Sequence, residues 1–186
     1  MQAKRSCRKL HMELRNNMMI QQVLEAGRSI CKQLLTSDWY QNCKVIYGYY
    51  PLGNEVDCLD FLEKALADNK RVALPRTRED CAMDFYEIHS LNEVQEGAFR
   101  VKEPVDSCPR LEEEEAIVLV PGVVFDRNGN RYGYGKGFYD RYFERYPKLK
   151  RCALSYENQL EEQLETLDTD VKMHRIYTEM KCYRFD

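Results

Sequence analysis

From Arg131 to Asp140 the chain reads Arg-Tyr-Gly-Tyr-Gly-Lys-Gly-Phe-Tyr-Asp. The alternating Gly133, Gly135 and Gly137 free the backbone for positive φ and let a ligand approach bare N–H groups. Lys136 supplies a point charge, and Arg131 supplies a planar fork suited to phosphate oxygens. Asp140 is a hard oxygen donor of the kind Mg²⁺ accepts beside a nucleotide. These residue types suit a polyphosphate and its metal. The spacing is not that of the Walker loop, which needs Gly-Lys-Ser/Thr; here Gly137 and Phe138 follow Lys136. Nor is it the dinucleotide fingerprint, because the glycines come late and no acidic residue closes a βαβ unit at the usual distance.

Other candidates have two readings each. Lys4, Arg5, Arg8 and Lys9 fall on the first turns of a predicted helix, where cations oppose the dipole; they are either a solvated face or a phosphate contact. Glu55 follows the turn Pro51-Leu52-Gly53-Asn54. It is either an acid favoured at a helix N-terminus or a carboxylate that accepts from a flat heterocycle. Tyr50 is a core aromatic or the flank of a planar ligand. Arg76, at a strand end, could reach the same crevice. Asp170 sits in the polar turn Asp168-Thr169-Asp170.

These residues need elements to hold them. Leu10, Leu14, Met18, Ile20, Val23, Leu24, Ile30 and Leu34 recur at helical spacing, and Asn16-Asn17 divides them into two helices. Strands are predicted over 44–50, 71–74 (ending at Pro75), 82–88, 117–120 and 151–156, with a terminal strand or pair over 175–184. Helices are predicted over 56–69 and 136–146, and a short one over 91–95 within an irregular connection that runs to 115. Ile117-Val118-Leu119-Val120 fits a strand buried on both faces of a parallel sheet. Alternating strands and helices predict one α/β domain over 1–186, with a mainly parallel sheet flanked by helices in a Rossmann-like three-layer arrangement. The loop after Val120 then lies beyond the strand ends, where such sheets bind ligands, and the next helix aims its dipole at an anion.

Composition narrows the partners. The chain has 186 residues, 44% hydrophobic and 32% charged, and a net charge of −3 that argues against a general nucleic-acid binder. No apolar run is long enough to span a membrane. The basic start has no apolar segment after it, so it is not a secretory signal, and Glu13 with the helical pattern argues against a transit peptide. The eight cysteines, Cys7, Cys31, Cys43, Cys58, Cys81, Cys108, Cys152 and Cys182, form no C-x-x-C pair. They read as reduced thiols of a cytoplasmic protein, most of them small buried hydrophobes. His11, His89 and His174 lie far apart in sequence, and no zinc spacing appears.

The chain resembles the 5-formyltetrahydrofolate cyclo-ligase (methenyltetrahydrofolate synthetase) family. Lys4-Arg5-Ser6-Cys7-Arg8 is similar to its basic segment, Pro51-Leu52-Gly53-Asn54-Glu55-Val56 to its substrate turn and Leu74-Pro75-Arg76 to its strand-end motif. Val120 through Asp140 is similar to its signature, and the order holds over nearly the whole chain. The resemblance implies ATP-dependent closure of 5-formyltetrahydrofolate to 5,10-methenyltetrahydrofolate, through phosphorylation of the formyl oxygen and attack by N10, with ADP and phosphate released. It assigns ATP to Lys4, Arg5, Ser6, Cys7, Arg8, Arg76 and the run Arg131, Tyr132, Gly133, Tyr134, Gly135, Lys136, Gly137, Phe138 and Tyr139. Arg131 and Lys136 act as the catalytic cations. Folate falls to Tyr50, Glu55 and Tyr134 to Phe138, and Mg²⁺ to Asp140 and Asp170. The expected protein is a monomer with small-molecule partners and no nucleic-acid or membrane partner. Two departures stand out: Thr169 and His174 replace a His and an Asp around Asp170, and Cys7 replaces an aliphatic residue. A regulatory nucleotide-binding protein on this fold, or a phosphotransferase acting on another small amide or acid, would share the glycine loop.

Overall fold

A computed structural model describes residues 2–78, 82–97 and 100–185; Cys81, one of the expected thiols, lies outside them. The asparagine pair divides the helical start as expected. Helix α1 (Gln2–Asn16) stops there and α2 (Ile20–Leu35) begins shortly after. A further short helix, α3 (Asp38–Asn42), follows because the Ser37 hydroxyl accepts from the Tyr40 N–H at 3.1 Å and caps it.

Strand β1 (Val45–Tyr47) leads through α4 (Leu59–Ala67) to β2 (Arg71–Thr77), which pairs with β3 (Met83–Ile88). β2 does not end at Pro75 as expected. Its parallel pairing with β1 covers only Arg71 to Ala73, so beyond that point one edge is open and the missing Pro75 N–H leaves no ladder bond unmade. The expected helix over 91–95 is instead half of a hairpin, β4 (Val94–Glu96) with β5 (Lys102–Pro104). The chain continues through β6 (Ile117–Val120), β7 (Val124–Asp126), β8 (Arg131–Tyr132), α5 (Phe138–Arg145), β9 (Lys150–Leu154) and β10 (Leu160–Glu161). It ends in the antiparallel pair β11 (Arg175–Tyr177) and β12 (Cys182–Arg184).

The main sheet has the order β12-β11-β9-β6-β1-β2-β3, parallel except at its two edges. β6 lies near its centre and is buried throughout, as its unbroken apolar run requires. Ile30, Leu34, Phe61 and Leu62 from α2 and α4 cover one face, against Ile46, Val72 and Leu119. On the other face Tyr142 and Phe143 from α5, with Phe125 from the small sheet β10-β7-β8, pack on Tyr47, Val118 and Val120. This is the expected layered α/β architecture. Seven described cysteines are thiols, and four of them, Cys31, Cys58, Cys108 and Cys152, are buried. Among the described residues, no helix is long and apolar enough to cross a membrane.

Helix α1 turns Leu10 and Leu14 outward. Leu10 and Leu14 are 51% and 41% exposed, whereas His11 and Arg15 are buried. Lys4, Arg8, His11 and Arg15 recur at i, i+4, i+7 and i+11, one stripe of the helix. That polar stripe faces inward because polar partners wait for it there.

Candidate functional site

The parallel strands wind outward in two directions, from β1 to β2 and from β6 through β9 to β11. The reversal leaves a crevice beyond the carboxyl ends of β1 and β6, the general ligand position of such sheets. The segment after β1 brings Tyr50 and Glu55 to it. The segment after β6 brings the β7–β8 hairpin and the glycine loop.

The hairpin turn is built around Asp126, which is fully buried. Its carboxylate accepts from the N–H groups of Asn128, Asn130 and Leu164 at 2.9, 2.8 and 2.9 Å, and from Asn130 Nδ2 at 2.7 Å. The turn delivers Arg131 into the interior, 8% exposed. Its Nη2 donates to Asp140 Oδ1 and Oδ2 at 3.3 and 3.2 Å, its Nη1 donates to the Pro121 carbonyl at 3.3 Å, and its Nε has no partner. The guanidinium lies 5.5 Å from the Tyr139 ring centre.

Two of the three glycines take positive φ, +95° at Gly135 and +67° at Gly137, the latter capping α5. Gly133 does not; its smallness is needed because a Cβ there would lie 2.6 Å from Arg131 Nη1. Lys136 is exposed at the loop tip, and Arg141 donates to its carbonyl at 2.6 Å.

The basic segment of α1 lies against this loop. Lys4 Nζ pairs with Asp170 Oδ2 at 2.8 Å, and Arg8 Nε donates to the Gly133 carbonyl at 2.8 Å. Both cations lie over the Tyr132 ring, 5.0 and 5.3 Å from its centre. The Val171 N–H donates to Asp140 Oδ1 at 3.3 Å, which sets Asp170 beside Asp140. Burial tends to raise the Asp170 pKa, but Lys4 and the Leu167 N–H outweigh it and hold the carboxyl below its ordinary value.

Glu55 closes the other side and is 6% exposed. Its Oε2 accepts from the Leu52 N–H at 2.9 Å and its Oε1 from the Tyr134 hydroxyl at 2.8 Å. That hydroxyl accepts in turn from Arg15 Nη2 at 2.8 Å, and Arg15 Nη1 donates to the Gly122 carbonyl at 3.2 Å. Burial raises the Glu55 pKa against the opposing pull of the Leu52 N–H, the Tyr134 hydroxyl and the Arg15 charge. Arg15, Glu55 and Gly122 line a crevice too narrow to hold a water molecule, so a large substrate would have to part the Tyr134 bridge. A wider open groove, between α1 and α2 with Leu14, Met18 and Glu179 on its walls, lies apart from these residues.

The sequence reading missed Arg15; its signal was the stripe it shares with Lys4 and Arg8. Other expected residues have contacts of their own. Arg76 donates to the Pro104 and Val105 carbonyls at 2.9 and 2.7 Å and lies 4.0 Å from the Tyr86 ring centre, so the β5 segment engages it rather than the glycine loop. Tyr50 holds Lys102 near its ring at 4.9 Å. Arg5 and Ser6 are exposed, with no hydrogen bond to the loop among the described residues. Cys7 packs beside Val123, Val124, Tyr132 and Leu164. Phe138 and Tyr139 open α5 and are partly buried.

Comparison with known proteins places this geometry among relatives. The model of the 5-formyltetrahydrofolate cyclo-ligase family matches residues 1–179. The chain is 25% identical over 172 residues to a probable 5-formyltetrahydrofolate cyclo-ligase of Caenorhabditis elegans, covering 85% of this chain and 84% of the relative. It is 25% identical over 175 residues to the 5-formyltetrahydrofolate cyclo-ligase of Escherichia coli K12, covering 89% of this chain and 94% of the relative. The solved Aquifex aeolicus 5,10-methenyltetrahydrofolate synthetase superposes with a TM-score of 0.86 at 29% identity, covering 98% of this chain and 92% of that one.

Proposed function

The chain belongs to the 5-formyltetrahydrofolate cyclo-ligase family, and on that footing we propose how its residues convert 5-formyltetrahydrofolate and ATP to 5,10-methenyltetrahydrofolate, ADP and phosphate. A formamide oxygen is a poor leaving group. Transfer of the γ-phosphoryl group to it, with the bond to the ADP oxygen broken, gives an imidate phosphate. N10 of the same folate attacks the activated carbon, the ring closes and phosphate departs. Such a transfer depends on positioning and charge neutralisation more than on a protein nucleophile.

The observation that carries this reading is the double ion pair around the glycine loop, Arg131 with Asp140 and Lys4 with Asp170. Phosphates entering the loop take over the two cations, and the two carboxylates are freed together. That donor set, two hard carboxylates beside a phosphate cradle, fits Mg²⁺, which Asp140 and Asp170 would hold and which would supply charge neutralisation for the phosphates. Arg131 is already desolvated and aimed, so it stabilises charge developing on the transferred group. Lys136 reaches the same oxygens from the loop tip, and Arg8 fixes the loop through the Gly133 carbonyl. Glu55 accepts from the donors of the pterin ring once the Tyr134 hydroxyl withdraws. Tyr50 and the run from Tyr134 to Phe138 flank the ring. Arg76 supports the pocket wall through its hold on the β5 segment, rather than by direct phosphate contact. The single domain 1–186 carries the whole reaction, as a cytoplasmic monomer without nucleic-acid or membrane partners; the net charge of −3 and the thiol-rich composition support that setting.

The test is direct. Purified protein with Mg-ATP and 5-formyltetrahydrofolate is expected to generate the near-ultraviolet absorbance of the methenyl product, with one ADP per turnover. Nucleotide binding without that absorbance would favour a regulatory nucleotide-binding protein on the same fold.

A further inference from the structure

Cys7 and His11 lie one turn apart on the face of α1 that meets β10, and Glu161 on β10 faces them both. One ligand atom from each residue lies within 4.8 Å of the others. His11 is 3% exposed. Its Nδ1 is 3.1 Å from the Asn158 carbonyl oxygen, and its Nε2 is 2.8 Å from Glu161 Oε1. A neutral imidazole carries one N–H and cannot donate to both. Both partners only accept, so whichever nitrogen carries the N–H, the other turns a lone pair toward an acceptor. With the N–H at Nδ1, the Nε2 lone pair faces the carboxylate, an arrangement that a cation between them would satisfy.

We propose that this position binds a transition-metal ion of the zinc class, held by Cys7 Sγ, His11 Nε2 and the Glu161 carboxylate, with water as fourth ligand. A mixed sulfur, nitrogen and oxygen set suits a borderline-soft ion and not Mg²⁺. The Asn158 carbonyl has the place of the outer partner that orients a ligating histidine. Cys7 and His11, at i and i+4, share one helix face, a spacing that brings two ligands to one ion. Tetrahedral bonds of about 2.1 Å set Nε2 and Oε1 about 3.4 Å apart, so Glu161 must withdraw by about 0.6 Å. Its side chain is 44% exposed and free to do so, which also admits the water. In the metal-free protein, burial and the Glu161 charge push the Cys7 thiol up. On binding, the thiol proton leaves to solvent and the thiolate takes its place on the ion. The site shares no ligand with Asp140 or Asp170. Cys7 stands between Lys4 and Arg8, so the ion staples the segment of α1 that carries both cations onto the small sheet.

Chelator-treated protein is titrated with Zn²⁺ against a chromophoric chelator, and separately with Co²⁺. One tight equivalent is expected, and Co²⁺ should show a thiolate charge-transfer band with the visible bands of a four-coordinate ion. Cys7→Ser should remove the charge-transfer band and weaken Zn²⁺ by more than the roughly 10–100-fold that losing an outer partner costs. Cys182→Ser should leave both unchanged. X-ray absorption at the zinc edge of the unaltered protein needs no variant, and it should show one sulfur among nitrogen and oxygen neighbours. No stoichiometric binding, binding that survives Cys7→Ser, or a shell of nitrogen and oxygen alone would overturn the proposal and leave His11 and Glu161 as a hydrogen-bonded pair.

Discussion

Arg131 and Lys136 carry the same sign of charge but are held differently. Arg131 is pinned by Asp140 and the Pro121 carbonyl within the protein, while Lys136 stands exposed on the loop. Lys136→Ala should therefore leave the fold intact and act on the chemical step. Removing one electrostatic donor of this kind costs about 10²-fold in kcat, or ~2.7 kcal/mol; an unchanged kcat would take Lys136 out of the mechanism. Glu55 makes a different statement. Its carboxyl titrates above its ordinary 4.5 because burial penalises the charge. Folded protein thus binds a proton that unfolded protein releases, and stability falls as pH rises from 4.5 through the raised value. Glu55→Gln removes that slope while weakening folate use and sparing nucleotide affinity. Denaturant titrations across the window check this; a stability difference between the two proteins that does not vary with pH would contradict it. The types and order of Arg131, Lys136, Asp140 and Glu55 were legible in the sequence. The Tyr134 hydroxyl bridging Arg15 to Glu55 was not, because no spacing relates three residues from three separate elements.

At the scale of elements, the glycine loop depends on two kinds of smallness. Gly135 and Gly137 supply positive φ, whereas Gly133 makes room for the Arg131 guanidinium. Gly133→Ala should displace Arg131 from Asp140 and lower kcat/KM by at least about tenfold, ~1.4 kcal/mol. Steady-state kinetics read this directly, and near-normal activity would mean that the guanidinium position is unimportant. Helices and strands of the core were legible because their apolar spacing matches their burial. Helix α1 is the exception: apolar spacing marks it as a helix, but Leu10 and Leu14 lie outward and the inward stripe is polar. The β4–β5 hairpin was also illegible, since its short polar strands carry little alternation.

At the scale of the molecule, the sheet order decides where chemistry can occur. The reversal between β1 and β6 brings Glu55 and the glycine loop, about 80 residues apart in sequence, to one crevice, as that topology does in general. The sequence pointed to a parallel sheet and to a loop beyond Val120; strand order itself is a long-range property that no local pattern encodes. The central claim is that nucleotide phosphates replace the internal ion pairs of the loop. A crystal structure with a non-hydrolysable ATP analogue and Mg²⁺ tests it most directly. The expected result is phosphate oxygens on Lys4, Arg131, Lys136 and the N–H groups of the loop, with the Arg131–Asp140 and Lys4–Asp170 pairs opened. Phosphates bound elsewhere, with both pairs intact, would contradict it.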